Sequence, residues 1–138
     1  MLVVDLHCHS KFSDGTFSPE ALVRRAARRH VSVLGLTDHD TTAGLVRFMA
    51  ACKKEGIQGI EGVELSAEAP YTLHIMGYRI DSSSRGLQDR LERLRESRRK
   101  RNALMVEKLV SLGLVLSIGE VEAEDRKSTR LNSSHRIR

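Results

Sequence analysis

An α/β fold with parallel strands is predicted by two observations. Short, mostly apolar runs at 2–7, 31–36 and 57–63 alternate with two segments of helical periodicity. Each run also ends in a turn that carries histidine or a carboxylate, the usual character of the carboxyl rim of a parallel sheet. Leu2, Val3 and Val4 are continuous rather than alternating, so 2–7 reads as a buried central strand.

The elements follow in order. Ser18-Pro19-Glu20 is a helix start: a capping hydroxyl, proline at the first helical position, and an acid at the positive end. Pro19, Leu22, Val23, Ala26, Ala27 and His30 then recur on one face, with Arg24, Arg25, Arg28 and Arg29 opposite, so His30 reads as structural. Val31 to Leu36 is a second strand. A second helix follows, with Leu45, Val46, Met49 and Ala50 as its apolar stripe and Gly56 as its stop. Ile57 to Val63 is a third strand ending at Glu64, and 72–79 a fourth containing His74. From Leu87 to Leu112 the pattern is helical and highly charged, with stripes at Leu87, Leu91, Leu94 and at Leu104, Met105, Leu109, Leu112, and with Gly113 as a stop. Ser117 and Glu120 are spaced as a capping box for one more helix.

At 138 residues, 40% hydrophobic and 30% charged, the chain suits one soluble domain with a real core. No apolar run approaches the ~20 residues that span a bilayer, so no membrane partner is expected. Met1 leads directly into the first strand without a basic segment or cleavage pattern, which makes the cytoplasm the expected compartment. Cys8 and Cys52 give no disulfide framework and read as buried thiols.

The formal net charge of +5 is concentrated after Asp125, where Arg126, Lys127, Arg130, Arg136 and Arg138 face a single acid. Asp125 to His135 has no apolar period and matches, residue for residue, the translation of a sequencing-library adapter. Residues 125–138 are therefore expected to be a non-native tail, with natural sequence stopping near Glu124. The basic run Arg90, Arg93, Arg95, Arg98, Arg99, Lys100, Arg101 reads either as a nucleic-acid-binding face or as a solvated helix laced with Glu92, Glu96 and Glu107. The interspersed acids favour the second, so stable nucleic-acid binding is not expected.

The chemistry sits at the strand ends. In an extended strand Asp5, His7 and His9 share one face, while Leu6 and Cys8 share the other. Asp14 follows in a turn closed by Gly15, Asp38-His39-Asp40 ends the second strand, Glu64 ends the third, and His74 lies in the fourth. Singly, each has an ordinary role: Asp14 in a turn, Asp40 as a helix cap, Glu64 at a solvated strand end, His74 as an interior histidine. Asp38 reads equally as a ligand or as the carboxylate behind one. Together, four strands each bring a metal-competent side chain to one rim, and a shared site explains them all. Mixed imidazole and carboxylate donors favour Zn, Mn or Fe, and such clusters suit phosphate-ester hydrolysis. No phosphate loop or nucleophile elbow is present.

Asp5-Leu6-His7-Cys8-His9-Ser10 with Ser13-Asp14-Gly15, then Leu36-Thr37-Asp38-His39-Asp40-Thr41, Gly62-Val63-Glu64-Leu65-Ser66 and Leu73-His74-Ile75-Met76-Gly77-Tyr78, resemble the PHP family of metal-dependent phosphoesterases. The resemblance is strong over 2–80 and looser to 124. It is greatest to stand-alone enzymes acting on nucleoside 3′,5′-bisphosphates and on 5′ ends of short oligonucleotides, with histidinol-phosphate phosphatases sharing the first motif. It implies the amino-terminal half of a distorted (β/α)7 TIM-like barrel at 1–80, and the start of a helical insertion at 81–124. It also implies two to three divalent ions (Mn, Fe or Zn) and attack of a metal-bound hydroxide on phosphorus. His7, His9 and Glu64 would serve one ion, Glu64 and His74 a second, and Asp14 and His39 a third. Asp5, Asp38 and Asp40 would stand behind these ligands. The family's later histidine and Asp-x-His have no counterpart here, so this polypeptide is expected to have little or no activity by itself. A non-catalytic metal- or nucleic-acid-binding domain is the alternative of another class.

Overall fold

A computed structural model describes residues 1–67, 69, 71 and 73–121 of the chain. The elements are β1 (Val4–Cys8), α1 (Pro19–Ala27), β2 (Val33–Leu36), α2 (Leu45–Glu55), β3 (Gln58–Ala67), β4 (Leu73–Tyr78) and α3 (Arg85–Ser111). The strands form one curled sheet in the order β1-β2-β3-β4, with the β1–β2 and β2–β3 pairs parallel. The Tyr78 hydroxyl donates to the Leu6 carbonyl at 3.1 Å, tying the last strand back to the first across the curl.

Local chemistry explains the helices. The Ser18 hydroxyl accepts the Ala21 N–H at 3.3 Å and Pro19 opens α1, which buries Pro19, Leu22, Val23 and Ala26. Gly56 stops α2 in the left-handed conformation (φ 70°), a region without penalty only for glycine. Val23, Ala26, Leu34, Leu36, Leu45, Phe48 and Cys52 form the core between α1, α2 and the sheet. Burial pushes the Cys52 thiol up to about 11 and that of Cys8 higher still, with Asp5 adding to the latter, so both are inert apolar fillers at neutral pH. Ser117 and Glu120 make the expected reciprocal cap, the Glu120 carboxylate accepting the Ser117 N–H at 2.8 Å.

Four expectations are corrected. β1 is an end strand with Leu2, Val3, Val4 and Leu6 exposed, because β2 alone pairs with it among the described residues. β4 runs antiparallel to β3, with Ser66 opposite His74, since only the short 68–72 segment joins them and a parallel return needs a longer crossover. The α2 stripe is rotated: Phe48, Ala51 and Cys52 point inward with Leu45, whereas Val46 is 78% exposed and Ala50 is also outside. His30 is exposed in a left-handed turn (φ 57°) after α1 has ended at Ala27, so it continues no apolar face.

The charged helical pattern is one continuous helix, α3, of which Leu91 and Val106 are buried while Leu104 and Met105, with Leu112 just after its end, are exposed. Gly113 follows it at φ 92°. The adapter-like tail lies outside the described residues. Among those that are described, no helix is long and apolar enough to cross a membrane.

Candidate metal centre

Everything converges on the rim where β1, β2 and β3 end. β1 carries one extra residue relative to β2 between Asp5 and Cys8, which interrupts the simple alternation of faces. His7 sits in that irregular stretch near the end of β1, and His9 begins a tight loop. That loop folds on the Ser10 carbonyl, which accepts the N–H groups of Ser13 (3.1 Å) and Gly15 (2.9 Å). Glycine is required at 15, since a Cβ there would lie 2.2 Å from the His9 carbonyl oxygen. The result is Asp14 turned back onto the His9 ring, Oδ1 to Nδ1 at 2.5 Å.

β2 ends in Thr37-Asp38-His39-Asp40, and the chain passes beside β3 with Asp40 N–H donating to the Glu64 carbonyl and Glu64 N–H to that of Asp38. Glu64 is thereby held inside the rim with its side chain buried. One carboxylate oxygen lies 2.8 Å from His7 Nε2 and 2.9 Å from His9 Nε2; the other lies 2.8 Å from His74 Nδ1. His39 Nε2 stands 3.5 Å from Asp14 and 3.8 Å from Glu64. Because β4 is antiparallel, His74 reaches this rim from the start of its strand. The four imidazoles form a row, with ring centroids 5.0 Å apart for His7–His9, 4.6 Å for His9–His39 and 4.8 Å for His39–His74.

The six side chains make three overlapping groups: His7, His9 and Glu64; His9, Asp14 and His39; His39, Glu64 and His74. Within each, one donor atom per residue lies within 4.8 Å of the others. An ion with bonds of about 2.0–2.2 Å holds its ligand atoms at roughly 3–4 Å from one another, so the spacing fits. Among the described residues the buried Nδ1 of His39 has no hydrogen-bond partner, so the polar contacts of that ring are those of its Nε2 with Asp14 and Glu64.

Charge is balanced inside the cluster. Burial opposes the charged form of His9, but Asp14 on its ring, aided by Glu64 and Asp38, outweighs that and raises its proton affinity. Burial likewise works against ionised Asp14 and Glu64, yet the bonded imidazoles hold both carboxyls below their ordinary values.

Asp5, Asp38 and Asp40 contact backbone and hydroxyl groups beside the candidate ligands. Among the described residues, none of them bonds an imidazole. Asp5 accepts the His7 N–H at 3.2 Å and lies against Cys8. Asp38 takes three donors, the Ser10 N–H (2.6 Å), the Ser10 hydroxyl (2.7 Å) and the Ser13 hydroxyl (2.6 Å). Burial raises its pKa, and those bonds offset only part of the effect. Asp40 is no helix cap: Gly44 precedes α2, and Asp40, in a left-handed conformation (φ 51°), accepts the Ser66 N–H and hydroxyl at 2.8 Å each.

Sequence reasoning gave Ser10, Ser13 and Ser66 no role at the site, and placed Arg95 and Arg98 only in a basic run read as a nucleic-acid-binding face or a solvated helix. Arg98 reaches Asp40 Oδ2 at 2.9 Å and also bonds the Ser66 hydroxyl, while Arg95 donates to the Asp40 carbonyl at 2.6 Å. The available signal was helical phase: Leu91, Leu94, Arg95 and Arg98 share one face, so two arginines lie on the inward stripe. Arg99 and Lys100 instead pair outward with Glu92 and Glu96, as in a solvated helix.

The geometry has relatives. A model of the PHP domain matches residues 5–125. A 3′,5′-nucleoside bisphosphate phosphatase of Chromobacterium violaceum is 40% identical over 115 residues, 83% of this chain and 40% of the relative. A 5′-3′ exoribonuclease of Haemophilus influenzae is 40% identical over 111 residues, 80% of this chain and 40% of the relative. A Bifidobacterium adolescentis structure assigned as a metal-dependent phosphoesterase superposes with a TM-score of 0.79 at 30% identity, covering 94% of this chain and 45% of that one. The chain thus spans about 40% of the length of these curated relatives. With the motif-bearing strands on one half-barrel sheet and the family model covering most of its length, this chain belongs to the PHP domain family.

Proposed function

We propose that the protein is a metal-dependent phosphoesterase acting on phosphate esters of small nucleotides or on oligonucleotide ends. The observation that carries this is Glu64, one buried carboxylate shared by His7 and His9 on one oxygen and His74 on the other. A structural site closes around one ion with a private ligand set, whereas a shared carboxylate holds neighbouring ions together. The donor set fits two to three divalent ions of the Mn, Fe or Zn type, held by His7, His9, Asp14, His39, Glu64 and His74. Such ions, when bound, lower the pKa of a water and neutralise phosphoryl oxygens.

The chain's own residues supply the frame. Glu64 and Asp14 provide the negative charge that offsets the cations. Asp38 fixes the loop carrying His9 and Asp14, and Asp40 fixes the strand end carrying Glu64. The bisphosphate phosphatase and exoribonuclease relatives support a nucleotide-type substrate. Residues 1–80 form the barrel portion in this reading and 81–124 begin a helical insertion, with 125–138 extraneous.

The test measures phosphate release from a nucleoside 3′,5′-bisphosphate with Mn2+, using the polypeptide encoded by the whole reading frame. Metal uptake by Met1–Arg138 is measured in parallel. Turnover abolished by chelator and by Glu64→Gln is the expected result. Stoichiometric metal uptake without hydrolysis of any nucleotide ester would establish the non-catalytic alternative instead.

A further inference from the structure

We infer that Arg98 is a positioning residue that couples helix α3 to the metal centre. The inference rests on the metal-site reading above and goes beyond it, from the ligands to what sets them. Asp40 is 1% exposed, and a carboxylate so far from water needs a full set of partners. Ser66 supplies two donors and Arg98 a third, and Arg98 also bonds the Ser66 hydroxyl, closing a triangle of Asp40, Ser66 and Arg98. Arg95 adds a donor to the Asp40 carbonyl, so α3 grips both ends of the residue.

Asp40 and Ser66 bracket the centre. Asp40 follows His39 directly and its N–H bonds the Glu64 carbonyl; Ser66 lies two residues after Glu64 and pairs with His74 across the sheet. Every backbone that carries a member of the His39, Glu64, His74 group therefore touches the triangle. Asp40 also holds a left-handed conformation that a non-glycine residue keeps only under constraint. Releasing Arg98 leaves a buried carboxylate short of a partner beside that strained backbone, and the loop relaxes at the expense of the ligands. By linkage, metal at the centre strengthens the seating of α3 to the same degree that α3 strengthens metal binding.

The test uses Met1–Arg138 with Zn2+ or Co2+ alone. Wild type, Arg98→Ala, Arg98→Lys, Ser66→Ala and Arg99→Ala are compared by calorimetric metal titration, by the Co2+ visible spectrum and by hydrogen exchange along α3. Loss of an outer carboxylate-holding contact typically costs 10–100-fold in metal affinity, so about tenfold weaker binding is expected for Arg98→Ala. Arg98→Lys restores part of it, and Ser66→Ala weakens binding from the other side of the triangle. Arg99→Ala, on the outer face, binds as wild type. Metal slows exchange around residues 91–98 in wild type but not in Arg98→Ala. Unchanged affinity, spectrum and exchange in Arg98→Ala, with wild type binding metal, overturn the coupling alone. Failure of wild type to take up metal overturns it together with the reading it rests on.

Discussion

Asp38 and Asp40 make the same contact in opposite directions. Each uses its two carboxylate oxygens to take the backbone N–H and the hydroxyl of a serine that follows a candidate ligand, Ser10 after His9 for Asp38 and Ser66 near Glu64 for Asp40. His39 lies between them, so the end of β2 clamps the ends of β1 and β3 around one imidazole. The clamp converts three separate strand ends into a single rigid rim. It predicts that Asp38→Ala strands the Ser10 and Ser13 donors and loosens the His9–Asp14 loop. Each buried donor left unpaired costs about 1–3 kcal/mol, so roughly 2–4 kcal/mol of stability is lost. Thermal unfolding of the metal-free protein measures it, and Asp38→Asn, which keeps acceptor capacity on one oxygen, loses less.

Phe48 and Val46 give a second prediction. Phe48 is fully buried and Val46 78% exposed, although they lie two residues apart in the same apolar segment of α2. Phe48→Ala is expected to cost about 3–5 kcal/mol, while Val46→Ala stays within about 0.5 kcal/mol. Denaturant titration of the two variants decides it.

The same pair shows what the sequence could and could not reveal. Element order and candidate ligands were readable because caps, glycine stops and histidine-bearing turns are local signals, as at Ser18, Gly56 and His7-Cys8-His9. Which face of α2 turns inward was not, since Leu45, Val46, Phe48, Met49, Ala50, Ala51 and Cys52 leave the apolar arc too wide to phase. The direction of β4 was equally hidden, because periodicity carries no polarity. The roles of Asp40 and Arg98 depend on a contact 58 residues apart in sequence, which no local pattern encodes.

Gly15 supplies a third. The approach of 2.2 Å between an added Cβ and the His9 carbonyl cannot be relieved by rotating a side chain, since the obstacle is backbone. Gly15→Ala must open the loop, at a cost of about 1–3 kcal/mol, and draws Asp14 away from His9. NMR titration of His9 reports the displacement as a fall in its pKa toward the ordinary 6.5.

Acid dependence follows from the same pair. In the metal-free protein His9 is raised above 6.5, so its contribution to stability is complete below that pH and is lost as pH rises through the folded value. Asp14 is lowered beneath 3.8, so its contribution is complete above that pH and is lost as pH falls through the folded value. The pair therefore supports the empty site most fully between about pH 4 and 6.5. A metal ion must displace the His9 proton, so its affinity runs the other way and rises above that window, by up to about tenfold per pH unit for each proton released. Calorimetry in buffers of different ionisation enthalpy counts the protons. Asp14→Asn binds more weakly but with a flatter pH dependence, because His9 no longer holds its proton as tightly.

Glu64 gives the sharpest discrimination among ligands. His7 stands near one of its oxygens and His74 near the other, with His9 sharing the first. Removing an imidazole takes a donor from one end of the carboxylate, whereas Glu64→Gln alters both ends while keeping volume and shape. Zinc titration is therefore expected to show His7→Ala and His74→Ala each weakening one class of site, and Glu64→Gln weakening two together. If Glu64→Gln affected no more sites than His74→Ala, the carboxylate would serve a single ion. The three groups of donors would then have to be filled independently.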